Sequence, residues 1–441
     1  MSSWHNVLRD LDLDLEYISW NILIICCLPI FISWSRRKTH LLRPKGCRRL
    51  GLPPGQSNLH DEFNSKYSHG VPPNTKDENG LPSWRIKALF IYPLKSCAGI
   101  ELQNSDVVPT GLKFDRQFVF AENGAEGWNT RTLRNAGYQR LALIQPELWV
   151  PDPSSPEYDP KLPEIQSQGV MIISYPRPQP ATRIGQILRK IGTVTHLIKS
   201  RHAFSVPLFP PKNSDNNYSL LPVKIWKDKP LAFNYASFIP PSLHKYLGFN
   251  PTSSQSQSQS PISLFRASPQ HTRHIFRNAP RQETLGFQPN TAFADAYPIH
   301  LLSLSSHRDV ASRCAYAIPN LSILRFRANI IIQGPSAFAE DSWKRISIAD
   351  VEIHAACRTI RCKLPNVDPV TGVRHKSEPD KALKSYRRID EGDRTNACLG
   401  MQLVPAVEEF GLSVGNEVVV RETGVHRYIK MLAPGEVVEG V

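Results

Sequence analysis

Two cysteines and an arginine stand close together between residues 351 and 372, in the stretch VEIHAACRTIRCKLPNVDPVTG. Apolar and polar side chains alternate over residues 351–356, and this alternation predicts a strand. We expect the chain then to carry Cys357, Arg361 and Cys362 into a loop, because residues 365–372 are rich in proline, asparagine, aspartate and glycine. A neighbouring cation lowers the pKa of a thiol, and the thiolate binds metals or attacks electrophiles. The stretch therefore predicts a reactive sulfur at the end of a strand.

Two other interpretations of these cysteines compete with the first. A lone cysteine is usually a small buried apolar residue. A structural zinc site needs four ligands, often supplied by two C-x₂-C pairs. Cys357 and Cys362 are instead spaced C-x₄-C, and no second pair accompanies them, which disfavours zinc. A single soft thiolate suits a metal that brings its other ligands with it.

The run RCKLPNVDPVTG at residues 361–372 resembles the MOSC domain, the C-terminal domain of molybdenum-cofactor sulfurases. Over residues 83–421 the chain is more similar to the amidoxime-reducing family of membrane-anchored molybdenum enzymes. The resemblance implies that Cys362 is the protein ligand of a molybdenum cofactor and that Arg361 balances charge beside it. Many members carry a second cysteine where this chain has Thr359, so Cys357 is out of register with the family motif.

Further motifs resemble the segments that hold the anionic pterin cofactor in that family. YPLKS at residues 92–96 and FDR at residues 114–116 imply that Lys95, Ser96 and Arg116 contact the cofactor. FRANIII at residues 326–332 predicts a strand, and alternation places Arg327 and Asn329 of its R-x-N motif on one face. Lysine offers a point charge to a phosphate and arginine a bidentate fork. Taken singly, each of these residues is more often an ordinary surface residue.

The resemblance implies a β-rich α+β fold in which an N-terminal domain of the kind that precedes MOSC domains leads into a MOSC-like β-barrel. The cofactor is expected between the two domains. Residues 306–317 and 181–191 show helical patterns, and His300 is expected to be structural because its neighbours are apolar. The predicted segments are an acidic tail (1–16), a transmembrane anchor (17–34), a basic flexible linker (35–82), a barrel-like N-terminal domain (83–235), a linker with a low-complexity insertion at 252–261 (236–282), the MOSC domain (283–423) and a tail (424–441).

The anchor prediction rests on the stretch YISWNILIICCLPIFISW at residues 17–34, which contains no charged residue. As a helix it would reach about 27 Å, enough for the hydrocarbon core of a bilayer. A buried core helix is the alternative, but it explains poorly the basic cluster at residues 36–49. The positive-inside bias places everything after the anchor in the cytosol. We therefore expect a single-pass protein of the outer mitochondrial membrane or the endoplasmic reticulum.

The net charge of +14 on 441 residues suits an acidic partner. Nucleic-acid binding is disfavoured, because neither zinc-finger spacing nor a regular basic and aromatic array is present. The eight cysteines are scattered, which indicates a reducing compartment. No GxGxxG or Walker motif predicts a nucleotide site, so electrons must come from another protein. The resemblance implies cytochrome b5 and its flavin reductase as donors.

The resemblance implies reduction of N-hydroxylated substrates, such as amidoximes and hydroxamic acids, at a molybdenum centre. Asp368 is the candidate proton donor in the turn-rich loop. The alternative is a cofactor carrier or sulfur-transfer protein without reductase activity. Sulfurases carry a pyridoxal-phosphate domain upstream, and the N-terminal region has no room for one, which favours the reductase. A catalytically inactive membrane adaptor is the third possibility.

Overall fold

The computed structural model describes residues 43–178, 182, 200–211, 218–249 and 261–430. Strands predominate in these ranges, which confirms the β-rich class. They are β1 (Cys47–Arg49), β2 (Arg85–Ile91), β3 (Ile100–Leu102), β4 (Asn104–Val108), β5 (Gly111–Leu112), β6 (Phe118–Gly124), β7 (Gly127–Thr130), β8 (Gln145–Pro151), β9 (Val170–Pro176), β10 (Arg201–Pro207), β11 (Leu220–Lys224), β12 (Leu231–Asn234), β13 (Ile262–Ala267), β14 (Arg273–His274), β15 (Asn290–Thr291), β16 (Ile299–Ser303), β17 (Ile330–Gln333), β18 (Trp343–Ile348), β19 (Val351–Ile360), β20 (Cys398–Pro405), β21 (Phe410–Ser413) and β22 (Val418–Thr423).

The α-helices of the described ranges are short. They are α1 (Pro163–Gln166), α2 (Pro241–Tyr246), α3 (Gln282–Leu285), α4 (Leu304–Cys314) and α5 (Asp380–Tyr386). The helix predicted at 306–317 corresponds to α4, which begins two residues earlier and ends three residues earlier.

Several predicted segments lie outside the described residues. They are the acidic tail at 1–16, the anchor at 17–34, the helix at 181–191, residues 252–260 of the low-complexity insertion and residues 431–441 of the C-terminal tail. Among the residues that are described, no helix combines the length and the apolar character needed to cross a membrane.

The central element is an eight-stranded sheet in the order β22-β18-β19-β20-β16-β17-β2-β3. Strand β2 pairs antiparallel with β17, with Ile330 opposite Leu89, so the sheet joins the predicted N-terminal and MOSC domains. Side chains of β2 are buried on both faces of the sheet: Leu89 and Ile91 belong to one core cluster, and Ala88 and Phe90 to another. This doubly covered sheet is the rigid frame from whose strand ends the functional side chains project.

The closed barrel of the described residues lies mainly in the predicted barrel-like N-terminal domain, and not in the predicted MOSC domain. It comprises β11-β12-β13-β6-β7, and its core includes Val119, Val223, Ala232 and Phe265. Strands β20 and β22, which lie in the predicted MOSC-like barrel at 283–423, instead belong to the eight-stranded sheet, where β22 forms one edge. Four barrel strands fall within residues 83–235, and β13 falls within the predicted linker at 236–282.

Both predicted linkers contain packed structure. Within residues 236–282, the six residues of β13 are all buried between β12 and β6, and α2 also forms there. Within residues 43–82, β1 pairs with β8, Tyr67 is buried, and a Glu62 carboxylate oxygen accepts a hydrogen bond from the Ile323 amide at 3.0 Å. The described parts of these segments are therefore integral to the fold rather than flexible spacers.

Candidate functional site

A cavity of about 530 Å³ lies where the eight-stranded sheet, the barrel and the C-terminal segment meet. Its lining comes from many separate parts of the chain. Among the lining residues are Lys95, Ser96, Arg116, Thr132, Arg134, Trp226, Arg277, Ala294, Asp295, His300, Phe326, Arg327, Asn329, Arg358, Thr359, Arg361, Cys362, Asp393, Tyr428 and Lys430. The seven residues predicted to touch or bind the cofactor, namely Lys95, Ser96, Arg116, Arg327, Asn329, Arg361 and Cys362, are all among them.

Lys95 and Ser96 follow the end of β2 in a tight turn. Lys95 is 6 % exposed, and its Nζ donates to the Phe293 carbonyl and to Asp295 Oδ1, both at 2.7 Å. Burial lowers the pKa of Lys95, and Asp295 opposes this effect. The Ser96 hydroxyl accepts a hydrogen bond from the Leu133 amide at 3.3 Å, which joins this turn to the loop after β7.

Arg116 and Arg327 stack against the same aromatic ring. Their guanidinium carbons lie 4.6 Å and 4.1 Å from the centroid of the Tyr92 ring. Arg116 also donates to Asp115 Oδ2 at 2.6 Å and to the Arg327 carbonyl at 2.8 Å. Arg327 Nη1 donates to the Cys97 carbonyl at 2.7 Å. These contacts fix two cations side by side on one wall of the cavity.

Strained backbone is concentrated at this cavity. Among the described residues, eleven non-glycine residues have positive φ, and four of them, Ser96, Arg116, Trp226 and Arg327, line the cavity. Left-handed backbone is costly for residues with a Cβ and persists where the surrounding structure enforces it, commonly at functional sites. The clustering supports a functional role for the cavity.

The strand predicted for residues 326–332 begins only at Ile330. Arg327 instead ends a 3₁₀ turn with a φ of 56°, so strand alternation is not the reason that it and Asn329 meet. The Asn329 amide is 1 % exposed and fully engaged: Oδ1 accepts from Arg116 Nη1 and from the His300 amide, and Nδ2 donates to the Phe90 carbonyl. Asn329 therefore positions Arg116 within the wall.

Cys362 and Arg361 come directly after β19. The Cys362 side chain is exposed and lines the cavity, whereas Cys357 lies within β19 and is fully buried. The expectation that Cys357 enters the loop is therefore wrong, because the strand continues to Ile360. The predicted lowering of the thiol pKa is also wrong: desolvation by the cavity walls raises the pKa of Cys362 and outweighs the nearby cations Arg134 and Arg361.

Arg361 and His300 form the floor beside the cysteine. Arg361 Nη2 donates to the Phe326 carbonyl at 3.0 Å, and Nη1 lies 3.4 Å from His300 Nε2. Burial, followed by the charge of Arg361, holds the pKa of His300 well below its usual range, so its imidazole is neutral. His300 was expected to be structural, and the structure places it on the cavity lining.

Asp368 does not lie at the cavity. Its Oδ2 pairs with Arg325 at 2.6 Å, and its Oδ1 accepts from the Val370 and Thr371 amides at 2.8 and 2.9 Å. Although partial burial opposes ionisation, the backbone hydrogen bonds and Arg325 hold the pKa of Asp368 below its usual value. The predicted proton donor is therefore an ionised group that braces the loop after Cys362.

Many lining residues escaped the sequence reasoning, among them Arg134, Trp226, Asp295 and Tyr428. Arg134 follows β7, Trp226 lies in the β11–β12 turn, and Asp295 precedes β16. Tyr428 belongs to the C-terminal segment, and its backbone amide donates to Asp390 Oδ1 at 2.7 Å. No local motif marks these residues, since only the folded topology brings them together.

The cavity suits an anionic ligand. Arg327 Nη2 and Arg361 Nε are buried and have no hydrogen-bond partner among the described residues. Burial lowers the pKa of each guanidinium to about 10, so both stay charged at neutral pH. A buried charged donor without a partner is costly, and an anionic group at this position would relieve that cost.

A metal at this cavity must bring most of its own ligands. In the described part of the chain, no group of three or more histidine, cysteine, aspartate or glutamate side chains could hold a metal ion. Cys362 offers one soft sulfur to such a metal. The residues present therefore fit an anionic cofactor that carries a metal already coordinated by its own atoms.

Two protein-family models match the chain. The model of the MOSC domain matches residues 288–419, which include Arg327, Asn329, Arg361 and Cys362. The chain carries a MOSC domain. The model of the MOSC N-terminal β-barrel domain matches residues 83–176, which include Lys95, Ser96, Arg116 and Arg134. MOSC domains are associated with binding of the molybdenum cofactor. Both matched regions contribute residues to the one cavity.

Curated relatives match parts of the chain. The human mitochondrial amidoxime-reducing component 1 is 38 % identical over 123 residues, 27 % of this chain and 36 % of the relative. The mouse protein of the same name is 40 % identical over 103 residues, 23 % of this chain and 29 % of the relative. Human molybdenum cofactor sulfurase is 23 % identical over 355 residues, 77 % of this chain and 32 % of the relative. The chain thus spans about a third of the length of these relatives.

Proposed function

We propose that this protein is a molybdenum-cofactor-dependent reductase of N-hydroxylated compounds such as amidoximes and hydroxamic acids. The observation that carries the proposal is a cysteine sulfur exposed in a cavity whose buried guanidinium donors lack partners among the described residues. The relatives named amidoxime-reducing components support this reaction class.

The chain's own residues would divide the work of holding the cofactor. Cys362 would bind its metal, while Lys95, Arg116 and Arg327 would hold its anionic part by charge-assisted hydrogen bonds. Ser96 adds a hydroxyl donor beside Lys95. When bound, the cofactor supplies a two-electron redox centre, and Arg361 balances charge next to the sulfur.

The reaction needs two electrons and two protons, because reducing N–OH to N–H breaks the N–O bond and releases water. We propose cytochrome b5 and its flavin reductase as the electron donors, since an acidic cytochrome suits a chain with a net charge of +14. Asp368 is engaged by Arg325 away from the cavity, so solvent that reaches Cys362 would supply the protons.

A cofactor carrier or sulfur-transfer protein is the second candidate. One observation favours it: the match to molybdenum cofactor sulfurase covers 77 % of this chain, more than the amidoxime-reducing matches cover. The two candidates differ in whether the protein itself turns over an N-hydroxylated compound.

The deciding experiment measures cofactor content and turnover on the same preparation. We expect the purified full-length protein to contain molybdenum and pterin in equal amounts, and to reduce benzamidoxime to benzamidine with NADH, the flavin reductase and cytochrome b5. A protein that carries the cofactor but reduces neither benzamidoxime nor benzhydroxamic acid would favour the carrier. A protein without molybdenum would contradict both candidates.

We also propose that residues 17–34 anchor the protein in a membrane, as their lack of charged residues suggests. A chain that begins at Arg43 is expected to stay in the supernatant after carbonate extraction and to keep full cofactor content, whereas the full-length chain sediments with membranes. A chain that begins at Leu50 is the comparison for the chain that begins at Arg43. It lacks β1 and its pairing with β8, so its melting temperature should be lower. A full-length chain in the supernatant would contradict the anchor.

A further inference from the structure

Trp226 is held in an unfavourable conformation at the cavity. It follows β11 in a tight turn closed by Ile225 and Asp228, whose amides and carbonyls exchange hydrogen bonds at 2.9 and 3.0 Å. Its φ of 56° is left-handed, which is rare for a bulky side chain. The indole nevertheless remains 44 % exposed, so burial of the ring does not offset the strain. Such strain at a cavity wall indicates a role for the exposed ring.

Two contacts fix this turn above the cavity. Arg273 donates from Nε to Asp228 Oδ2 and from Nη1 to the Ala294 carbonyl, both at 2.7 Å. The Trp226 indole Nε1 donates to Asp295 Oδ1 at 3.3 Å, and the same oxygen binds Lys95. The position of the ring is therefore set relative to the residues that line the cavity, and it does not depend on a ligand.

Arg134 packs over this ring. Its guanidinium carbon is 3.9 Å from the centroid of the Trp226 ring. Its backbone amide donates to Thr132 Oγ1 at 3.3 Å, which shapes the loop after β7. Among the described residues, its guanidinium donates no hydrogen bond, in contrast to those of Arg116 and Arg327. Stacking on Trp226 thus holds a planar set of donors in place while their edges stay available.

The charge of the cavity selects the kind of group that Arg134 can bind. The lining cations outnumber the lining carboxylates by eight to two: they are Lys95, Arg116, Arg134, Arg277, Arg327, Arg358, Arg361 and Lys430, against Asp295 and Asp393. A cationic group would be repelled from this wall. A carboxylate would meet the guanidinium in the bidentate geometry that it favours.

We propose that Arg134, stacked on Trp226, is a substrate subsite that binds a carboxylate carried on a flat, aromatic N-hydroxylated compound. The free edge of the guanidinium takes the carboxylate, and the exposed indole contacts the ring that carries it. This inference rests on the proposed reductase function and narrows its substrate class. Trp226 lies in neither region matched by the MOSC family models, whereas Arg134 lies within the match to the N-terminal β-barrel domain.

The test compares benzamidoxime with 4-carboxybenzamidoxime as substrates of the full-length protein with its cofactor. We expect kcat/KM to favour the carboxylated compound by about tenfold or more, the usual range for a charge-assisted hydrogen bond. Arg134→Gln should bring this ratio close to unity, mainly through KM, and Arg134→Lys should restore it in part. Trp226→Phe should keep more of the preference than Trp226→Ala.

Lys224→Gln is the matched control, because Lys224 lies on the same hairpin, pairs with Glu126 at 2.7 Å and does not line the cavity. This variant should keep the substrate ratio of the unmodified protein. An unmodified protein that reduces both compounds with equal kcat/KM, or an Arg134→Gln variant of unchanged melting temperature that keeps the preference, would overturn the subsite.

Binding of benzoate separates this proposal from the reductase proposal. Quenching of tryptophan fluorescence by benzoate, with benzamide as the neutral comparison, reports the subsite without turnover. Benzoate binding that Arg134→Gln weakens about tenfold, in a protein that reduces no N-hydroxylated compound, would support the subsite while the reductase function fails. Benzoate binding of equal strength in the unmodified protein and in Arg134→Gln would reject the subsite even if reductase activity is found.

Discussion

Replacing Cys362 by alanine or serine is expected to abolish reduction of benzamidoxime while leaving the protein folded. The Cys362 side chain is the one exposed thiol among the cysteines of the described residues, and it lines the cavity. Removing a residue that hydrogen-bonds a metal ligand commonly lowers activity or metal affinity about 10–100-fold. Removing the ligand itself should therefore lower activity at least about 100-fold. Activity with the reconstituted electron donors and the molybdenum content should be measured together.

Cys357→Ala is the matched control for this prediction. Cys357 is equally close in sequence, but it is fully buried in β19 and packs with Tyr297 and Val404 in a small apolar cluster. Its replacement should lower the melting temperature slightly, because a small cavity remains, and should leave molybdenum content unchanged. A fully active Cys362→Ala protein would remove Cys362 from its proposed role as the ligand. If the Cys357→Ala protein is inactive although its stability and the exposure of Cys362 are unchanged, Cys357 would be the ligand instead.

The sequence predicted strands where alternation is strong and local. Strand β19 begins at Val351 as expected, and the strand predicted at 326–332 appears in part as β17 (Ile330–Gln333). The seven residues taken from short motifs also came together at one cavity, because those motifs sit at the ends of neighbouring strands. Pairing of β2 with β17 joins residues more than 200 positions apart, and nothing in local periodicity specifies such a pairing.

Composition was a poorer guide than periodicity. Residues 236–282 suggested a linker because polar, low-complexity sequence dominates their middle, yet ISLFRA at Ile262–Ala267 closes the barrel. A short buried strand next to such a tract is obscured when composition is averaged across both. The left-handed backbone at Ser96, Arg327 and Trp226 was equally hidden, because side-chain type does not favour it and tertiary contacts impose it.

A second large effect is expected from Arg327. Its Nη2 is buried and without a partner among the described residues, while Nη1 donates to the Cys97 carbonyl and the guanidinium stacks on Tyr92. If Nη2 and the positive charge meet the anionic part of the cofactor, removing them should weaken cofactor affinity by about 1.5–3 kcal/mol, roughly 10–100-fold. Arg327→Met keeps the unbranched stem of the side chain but removes the guanidinium, including its stacking on Tyr92. We therefore expect a folded protein that loses molybdenum and pterin during gel filtration, with activity falling in proportion.

Arg313→Met controls for the loss of one arginine. Arg313 is on the surface of α4, pairs with Asp309 at 2.8 Å and does not line the cavity, so its replacement should leave cofactor content unchanged. Arg327→Lys distinguishes charge from geometry: it restores the positive charge but not the planar fork, and should recover only part of the retention. Full molybdenum and pterin occupancy in Arg327→Met after gel filtration would exclude Arg327 from the cofactor cradle. Arg361 Nε would then be the remaining guanidinium donor of the cavity lining that is buried and has no partner among the described residues.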